Sequence, residues 1–307
     1  MIFILPNNIS VSFGVEMQNP SPLRYPGGKN RLYRLIAFII EQQQNNNQTY
    51  VEPFAGGAGI ALSLLLNNNV DNIIINDYDK AIYSFWRSII HNSEEMIEKI
   101  IKTPITIEEW FKQKEIYKSS NSYSVDLAFA TLFLNRTNRS GILNAGPIGG
   151  YNQSGSWTLD VRFDKNKIIE KIKTIARQKQ RIHVYNKDII SLLKNYSHKF
   201  GNNAFFYFDP PYYNKGQKLY KNYLSHNDHK NIRDVIVQVI NSPWIMTYDN
   251  VDNIFDLYKN YEIRKYDLIY SAANKGVASE LIIFSNQINC PTNGLLLDQG
   301  INLNLRI

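Results

Sequence analysis

Phe205-Phe206-Tyr207-Phe208-Asp209-Pro210-Pro211-Tyr212 is the stretch on which the reading of this chain turns. Ala204 to Phe208 has the unbroken apolar and aromatic character of a buried strand. The strand stops on a carboxylate followed by two prolines, which cannot donate to a sheet ladder and turn the backbone away from it. An acid, a proline carbonyl and an aromatic ring are thereby set at the carboxyl end of a strand, where open α/β sheets bind ligands. Asp209 and the Pro210 carbonyl suit the two N–H hydrogens of an exocyclic amine, and Tyr212 suits the face of the planar base carrying it. Alone, Asp209-Pro210-Pro211-Tyr212 fits a rigid structural turn equally well, so the rest of the chain decides.

The 307 residues, 44% hydrophobic and 13% aromatic, suffice for one large domain or for a domain carrying a sizeable insertion. A net charge of +7 suits a polyanionic partner without demanding one. Cys290 is the single cysteine, which excludes an intramolecular disulfide and gives neither a nucleophile nor a metal site a recognisable context. Met1 to Val15 lacks a basic leader and a long apolar run, so a signal peptide and a membrane span are not expected and a cytoplasmic enzyme is. Met17 lies just ahead of the first motif, so residues 1–16 read as an N-terminal extension. Gln42 to Gln48 is a polar run that fits the solvated end of a helix and its loop.

Upstream of the central strand, Leu32, Leu35, Ile36, Ile39 and Ile40 recur at helical spacing after the loop Tyr25-Pro26-Gly27-Gly28-Lys29. A short strand ending near Phe54, a glycine loop, a helix through Leu62 and Leu65, and the strand Ile73-Ile74-Ile75 closing on Asp77 follow in the order of a nucleotide-binding βαβ unit. Helical patterns then dominate from about Lys80 to Arg136. Thr137 to Trp157, rich in Gly, Asn and Ser, reads as an extended loop or hairpin projecting from a helical insert. Strand patterns return at Ile182–Tyr185, Phe205–Phe208 and Trp244–Thr247, and two last strands near Tyr261–Tyr266 and Leu281–Phe284 read as a hairpin. The expected architecture is α/β, a mostly parallel sheet interrupted in sequence by a helical insert.

Several groups carry candidate chemistry. Glu52-Pro53-Phe54-Ala55-Gly56-Gly57-Ala58-Gly59 would let backbone approach a ligand at a helix start, and without a Lys-Ser/Thr ending it suits a nucleoside better than a triphosphate. Asp77, ending the next strand, is placed to accept both hydroxyls of a ribose, and Phe54 to lie beside a cationic or aromatic group. A ligand-free βα turn is the bland alternative. Lys29 suits a ligand carboxylate, or else is a solvated lysine on a turn. Within Asn135 to Asn144, a loop entering a DNA groove would use Arg136, Asn138, Arg139, Ser140 and Asn144 as donors and Ile142 as a wedge, unless it packs on its own domain. His183 reads as a core histidine, and His226 and His229 lack metal-ligand company, so no metal is proposed.

With these residues in hand, the chain resembles the Dam-type family of DNA adenine N6-methyltransferases over about Pro22 to Asn286. The matching elements occur in the family's order: Tyr25 to Lys29, Glu52 to Gly59, Asn76-Asp77, Asn135-Arg136 through Gly141, Asp188, Asp209 to Tyr212, and Asn274 with Glu280. The resemblance implies a Rossmann-like methyltransferase sheet with a C-terminal antiparallel hairpin, spanning residues 17–90 and 180–290. A DNA-recognition insert at 91–179 and a tail at 291–307 complete the expected division.

It further implies S-adenosylmethionine as cofactor, contacted by Tyr25, Lys29, Phe54, Gly56, Gly57, Gly59 and Asp77, with Asp188 near its adenine and Asp209 bordering it. Asp209, Pro210, Pro211 and Tyr212 would act on a target adenine in double-stranded DNA, and the loop around Arg139 to Asn144 would meet the duplex. A cognate restriction endonuclease is a partner such a family allows. Members that methylate GATC typically carry arginine at the position aligned with Asn144 and an aromatic at that aligned with Arg139, so GATC is not the expected target. Cytosine N4 methylation and a catalytically silent DNA-binding protein on the same fold remain open at this point. Glutamine-amide methylation fits less well, because such enzymes usually carry asparagine in place of Asp209.

Overall fold

A computed structural model describes residues 19–24, 29–43, 48–201, 203–214, 224–269 and 277–307. Tyr25 to Gly28, Asn274 and the expected extension 1–16 lie outside the described residues. The strands are β1 (Thr49–Glu52), β2 (Asn72–Asn76), β3 (Ile182–Tyr185), β4 (Ala204–Phe208), β5 (Trp244–Asp249), β6 (Glu262–Ile269) and β7 (Val277–Phe284). They form one sheet in the order β3-β2-β1-β4-β5-β7-β6, parallel except that β7 runs antiparallel to both neighbours. The hairpin expected from Tyr261 to Phe284 is present, but its second strand inserts beside β5 and leaves β6 at the edge.

Alternation along β4 explains how one strand serves two cores. Phe205 and Tyr207 pack on one face with Tyr50, Ile73, Ile75, Tyr266 and Ile282, while Phe206 and Phe208 pack on the other with Val51, Ile74, Met246 and Tyr248. Each of these buried rings contributes on the order of 2–3 kcal/mol. The helices on the first face are α1 (Tyr33–Gln42), α2 (Gly59–Leu66) and α3 (Lys80–His91), followed by α4 (Ser93–Lys102), α5 (Ile107–Ser119), α6 (Val125–Thr137) and α7 (Lys165–Ala176). On the second face lie α8 (Ile189–Tyr196), α9 (His226–Val239) and α10 (Asp252–Tyr258).

Local chemistry sets several of these boundaries. Thr106 and Ser124 accept the Glu109 and Leu127 amides at the starts of α5 and α6, and Ser225 with Asp228 forms a reciprocal cap on α9. Helices α4 to α7 share one continuous apolar core with α3, through Met96, Ile100, Phe129, Phe133, Ile168 and Ile172. The chain end is also tied down. It forms α11 (Asn293–Asp298), buries Leu296, Ile301 and Leu305, and exchanges two backbone hydrogen bonds between Arg306 and Lys265 of β6.

Two sequence readings need correction here. His183 is exposed, because β3 is the outermost strand and one of its faces carries no helix over that position. The segment after Thr137 is a hairpin, one of the two forms expected, but projects less than expected: Asn138 pairs with Pro147, and Thr137, Asn138, Gly141 and Pro147 are buried, while Tyr151 and Trp157 beyond them are exposed. Among the described residues no helix is long and apolar enough to cross a membrane.

Candidate active site

The chain runs outward from β1 to β3, returns, and places β4 on the other side of β1. The crevice between the carboxyl ends of β1 and β4 is therefore the topological switch point, where such sheets take ligands. Glu52 to Gly59 leaves β1, Asp77 follows β2, and Asp209 follows β4. Asp77 and Asp209 thus stand two strand spacings apart, about 10 Å, with the glycine loop between them.

The loop after β1 is held by its neighbours rather than by its own turn. Asn76 donates to the Pro53 carbonyl at 2.9 Å and the Lys187 carbonyl at 3.0 Å and accepts from the Lys187 amide at 2.9 Å, joining the loops after β1, β2 and β3. Trp86 donates to the Gly56 carbonyl at 2.8 Å. Asp77 accepts the Gly56 and Asp79 amides, each at 2.9 Å. Burial pushes its carboxyl up to about 7, with the neighbouring Asp79 charge adding and the two amide hydrogen bonds opposing. A Cβ at Gly59 would meet the Asn30 side-chain amide, which would have to swing aside. Gly56 and Gly57 are buried in the loop, Phe54 is half-buried beside them, and Asp188 is exposed, capping α8 through the Ser191 amide at 2.9 Å.

These residues fit S-adenosylmethionine. The loop offers backbone at a helix start, and Asp77 keeps acceptor capacity for hydroxyls beyond the two amides it already binds.

At the other side of the crevice the acids are interlocked. Asp209 Oδ1 accepts from Thr247 Oγ1 at 2.7 Å and lies 3.3 Å from Lys29 Nζ. The single Thr247 hydroxyl proton is committed there, so the Tyr207 hydroxyl, 2.8 Å away, donates to Thr247. Lys29 Nζ also lies 3.3 Å from Glu280 Oε2 and donates to the Tyr212 hydroxyl at 3.0 Å. Burial depresses the Lys29 ammonium, but Asp209 and Glu280 together outweigh this and raise it, so Lys29 is charged. Burial raises the Asp209 carboxyl; Lys29 pulls it back and Glu280 pushes it further up.

Lys29 was expected at a ligand carboxylate or in solvent. The structure instead buries it between two acids of the chain, at 5% exposure. Tyr212 was expected to offer a ring face to a base. It is 5% exposed, holds the Lys29 ammonium 4.9 Å from its ring centre and donates to Glu280 at 2.6 Å, so a base can stack on it only after the ring is uncovered. Pro210 is buried and Pro211 half-buried, and Asp249 at the end of β5 accepts the Tyr213 and Asn214 amides at 2.7 and 3.0 Å, fixing the chain beyond them.

The six loop residues divide. Asn138 is buried: it accepts from Trp110 Nε1 at 2.7 Å and donates to the Ile142 and Leu143 carbonyls, so its amide closes the loop instead of reading a groove. Arg136 donates to the Pro22 and Arg162 carbonyls and is likewise corrected to an anchor; desolvation there lowers its guanidinium to about 10. Ile142 is half-buried. Arg139, Ser140 and Asn144 are exposed, and among the described residues the Arg139 and Asn144 side chains make no hydrogen bond.

Sequence reasoning missed the aromatic residues beside them. Phe111 and Tyr151, 54% and 56% exposed, stack with ring centres 5.9 Å apart, and Arg139 and the Tyr151 hydroxyl converge over Gly146. It also gave no part to Thr247, Tyr266 or Asp249, and named Asn76 only as the neighbour of Asp77. The polar residues ending β5 were a usable signal for Thr247 and Asp249, because they repeat the pattern at the end of β4.

A family model described as D12 class N6 adenine-specific DNA methyltransferase matches residues 25–272. The Type II methyltransferase M.MjaIII of Methanocaldococcus jannaschii is 23% identical over 204 residues, covering 62% of this chain and 68% of that protein. Among solved structures, the rRNA methyltransferase aviRa from Streptomyces viridochromogenes superimposes with a TM-score of 0.37 at 12% identity, covering 85% of this chain and 86% of that one. TrmK of M. capricolum, in complex with S-adenosyl-homocysteine, gives 0.36 at 9% identity, covering 86% and 73%. Those superpositions are loose, and the fold stands on the strand order. With the family matched across both sides of the crevice and the insert between them, the chain belongs to the D12 class of N6 adenine-specific DNA methyltransferases.

Proposed function

We propose that the enzyme acts at a specific DNA site, on an adenine swung out of the duplex, with the Asp209 carboxylate and the Pro210 carbonyl holding the amine. One observation carries this reading. Asp209 Oδ1 is taken by Thr247 and Lys29, whereas neither Asp209 Oδ2 nor the Pro210 carbonyl has a hydrogen-bond donor among the described residues. Two acceptors are thus left at the lip of a strand, the number of N–H hydrogens on an adenine amine.

Adenine's amine is a poor nucleophile because its lone pair is delocalised into the ring. Hydrogen bonds to Asp209 Oδ2 and to Pro210 would favour a pyramidal nitrogen and stabilise the positive charge it would gain on accepting a methyl group, and the proton it must then shed would pass to Asp209 Oδ2 or to solvent. When bound, S-adenosylmethionine supplies a methyl carbon already activated on a sulfonium, so the chain's task is position and electrostatics. Geometry inside a duplex forbids in-line attack, and extrusion of the base costs a few kcal/mol. Arg139, Asn144 and the exposed Phe111–Tyr151 pair face the duplex in this reading, and the residues at 139 and 144 disfavour GATC as the site. The same chemistry serves a restriction-modification pair or an orphan methyltransferase.

The test is transfer of a labelled methyl group to unmethylated duplexes, with mass spectrometry of the nucleosides and long-read mapping of the modified base. N6-methyladenine in one non-GATC context is expected, with a rise in 2-aminopurine fluorescence when that base replaces the target. A GATC context would overturn the specificity reading, and a silent 2-aminopurine signal the extrusion.

A further inference from the structure

Glu280 stands on β7 opposite Asp249 of β5 and Tyr266 of β6, at 3% exposure. A carboxylate so placed is costly unless its oxygens are partnered. Its Oε1 accepts from Tyr212 at 2.6 Å, and its Oε2 accepts from Tyr266 at 2.7 Å and faces Lys29 Nζ at 3.3 Å. Tyr266 reaches it because directly opposed residues in an antiparallel pair share a face. Lys29 is the same 3.3 Å from Asp209 Oδ1, so one ammonium is divided equally between two acids.

That division has a chemical consequence. An ammonium held by Asp209 alone would draw electron density from the oxygen pair that must accept the adenine amine, and would be free to shift toward Oδ2. Held from the far side by Glu280, Lys29 fixes Oδ1 and leaves Oδ2 open, while Tyr212 is pinned next to the prolines. We infer that Glu280 is a positioning residue for methyl transfer: from across the sheet it holds Lys29 and Tyr212 so that Asp209 keeps one oxygen fixed and the other available to the amine. This rests on the proposed role of Asp209.

Among the described residues, the titratable groups around Asp209 are Lys29, Glu280 and, at the end of β1, Glu52, whose carboxyl burial pushes well up; Tyr50, Tyr207, Tyr248 and Tyr266 face the same region as neutral hydroxyls. Glu280 raises the Asp209 carboxyl and Lys29 lowers it. Neutralising Glu280 removes the first effect and hands Lys29 wholly to Asp209, so both changes favour ionised Asp209 at lower pH.

The experiment compares wild type, Glu280→Gln and Tyr266→Phe with S-adenosylmethionine and a methylatable duplex. It follows single-turnover rate from pH 5 to 8, KM for S-adenosylmethionine, and melting temperature. Glu280→Gln is expected to lower the rate roughly ten-fold with a KM within about two-fold. Its acid limb should move about half a pH unit or more toward lower pH. Tyr266→Phe keeps the charge and should lower the rate less, leaving the acid limb in place. A Glu280→Gln enzyme with the wild-type rate, or with a lower rate but an unmoved acid limb, would overturn the inference. Asp209→Ala, run in parallel, separates the two failures: if it stays active the proposed role of Asp209 is what has failed, and if it is inactive only the role of Glu280 has.

Discussion

The corner around Asp209 and the loop after α6 spend their polar groups in opposite ways. Around Asp209 the charges face one another: Lys29 lies between Asp209 and Glu280, and Thr247, Tyr212 and Tyr266 donate inward. In the loop the buried polar atoms hold the chain's own backbone, through Asn138 and Asn135, and this frees Arg139 and Asn144 to point into solvent. The corner, as proposed, holds one geometry for one reaction. The loop, in the proposed reading, is a self-bonded base carrying exposed side chains that can be exchanged without disturbing its fold, as a change of DNA site would require. The two regions meet at Arg24, whose amide and carbonyl are both bonded by Asn135 at 2.7 Å, a few residues before Lys29.

If this contrast is right, a substitution in the corner costs stability and rate together, whereas one on the exposed loop face costs affinity alone. The largest effect is expected from Lys29→Met, which removes the cation between the buried Glu280 and the partly buried Asp209. Loss of about 3 kcal/mol in denaturant unfolding is expected, with a fall of about a hundred-fold or more in single-turnover rate. Wild-type stability in that variant would break the comparison at its stronger end.

Asn138→Ala sharpens it from within the loop, since the Trp110 indole N–H and two carbonyls lose their partner. A loss of about 2 kcal/mol in the same unfolding measurement is predicted; an unchanged midpoint would mean the loop does not depend on its amide. Arg139→Ala and Tyr151→Ala should each weaken duplex binding by about ten-fold in fluorescence anisotropy without lowering the melting temperature. Removing Arg139 should also reduce the slope of log affinity against log salt by about one. Unaltered affinity in both would place the DNA elsewhere.

Asp77 gives the smallest effect within the neutral pH range. With its carboxyl near 7, only the ionised form accepts two hydroxyls well, so affinity for S-adenosylmethionine should weaken as pH falls. Between pH 8 and pH 6 the loss should be about ten-fold by calorimetry, and Asp77→Asn should flatten it. A pH-independent affinity in the wild type would remove Asp77 from that role.

Much of the architecture was legible in the sequence, because local pattern decides it. Phe205 to Phe208 is buried on both faces and reads as a central strand, and the βα turns around Gly56 and the acid after β2 follow from spacing alone. What escaped depends on pairing at long range. Lys29 and Glu280 are 251 positions apart in numbering, and only the placement of β7 between β5 and β6 brings them together. Asn138 looks like a groove-reading side chain by type, yet its three hydrogen bonds point inward, a fact fixed by Trp110 on another helix. His183 failed for a similar reason: alternation identifies a strand, but not whether its outer face is covered.

Methyl transfer as proposed depends on Asp209 Oδ2 accepting from the adenine amine. Its most direct test is the single-turnover rate of Asp209→Ala at saturating duplex and S-adenosylmethionine, with cofactor affinity measured on the same preparation. A fall of about three orders of magnitude or more, with affinity within about three-fold of wild type, is predicted. A rate near that of the wild type would contradict it.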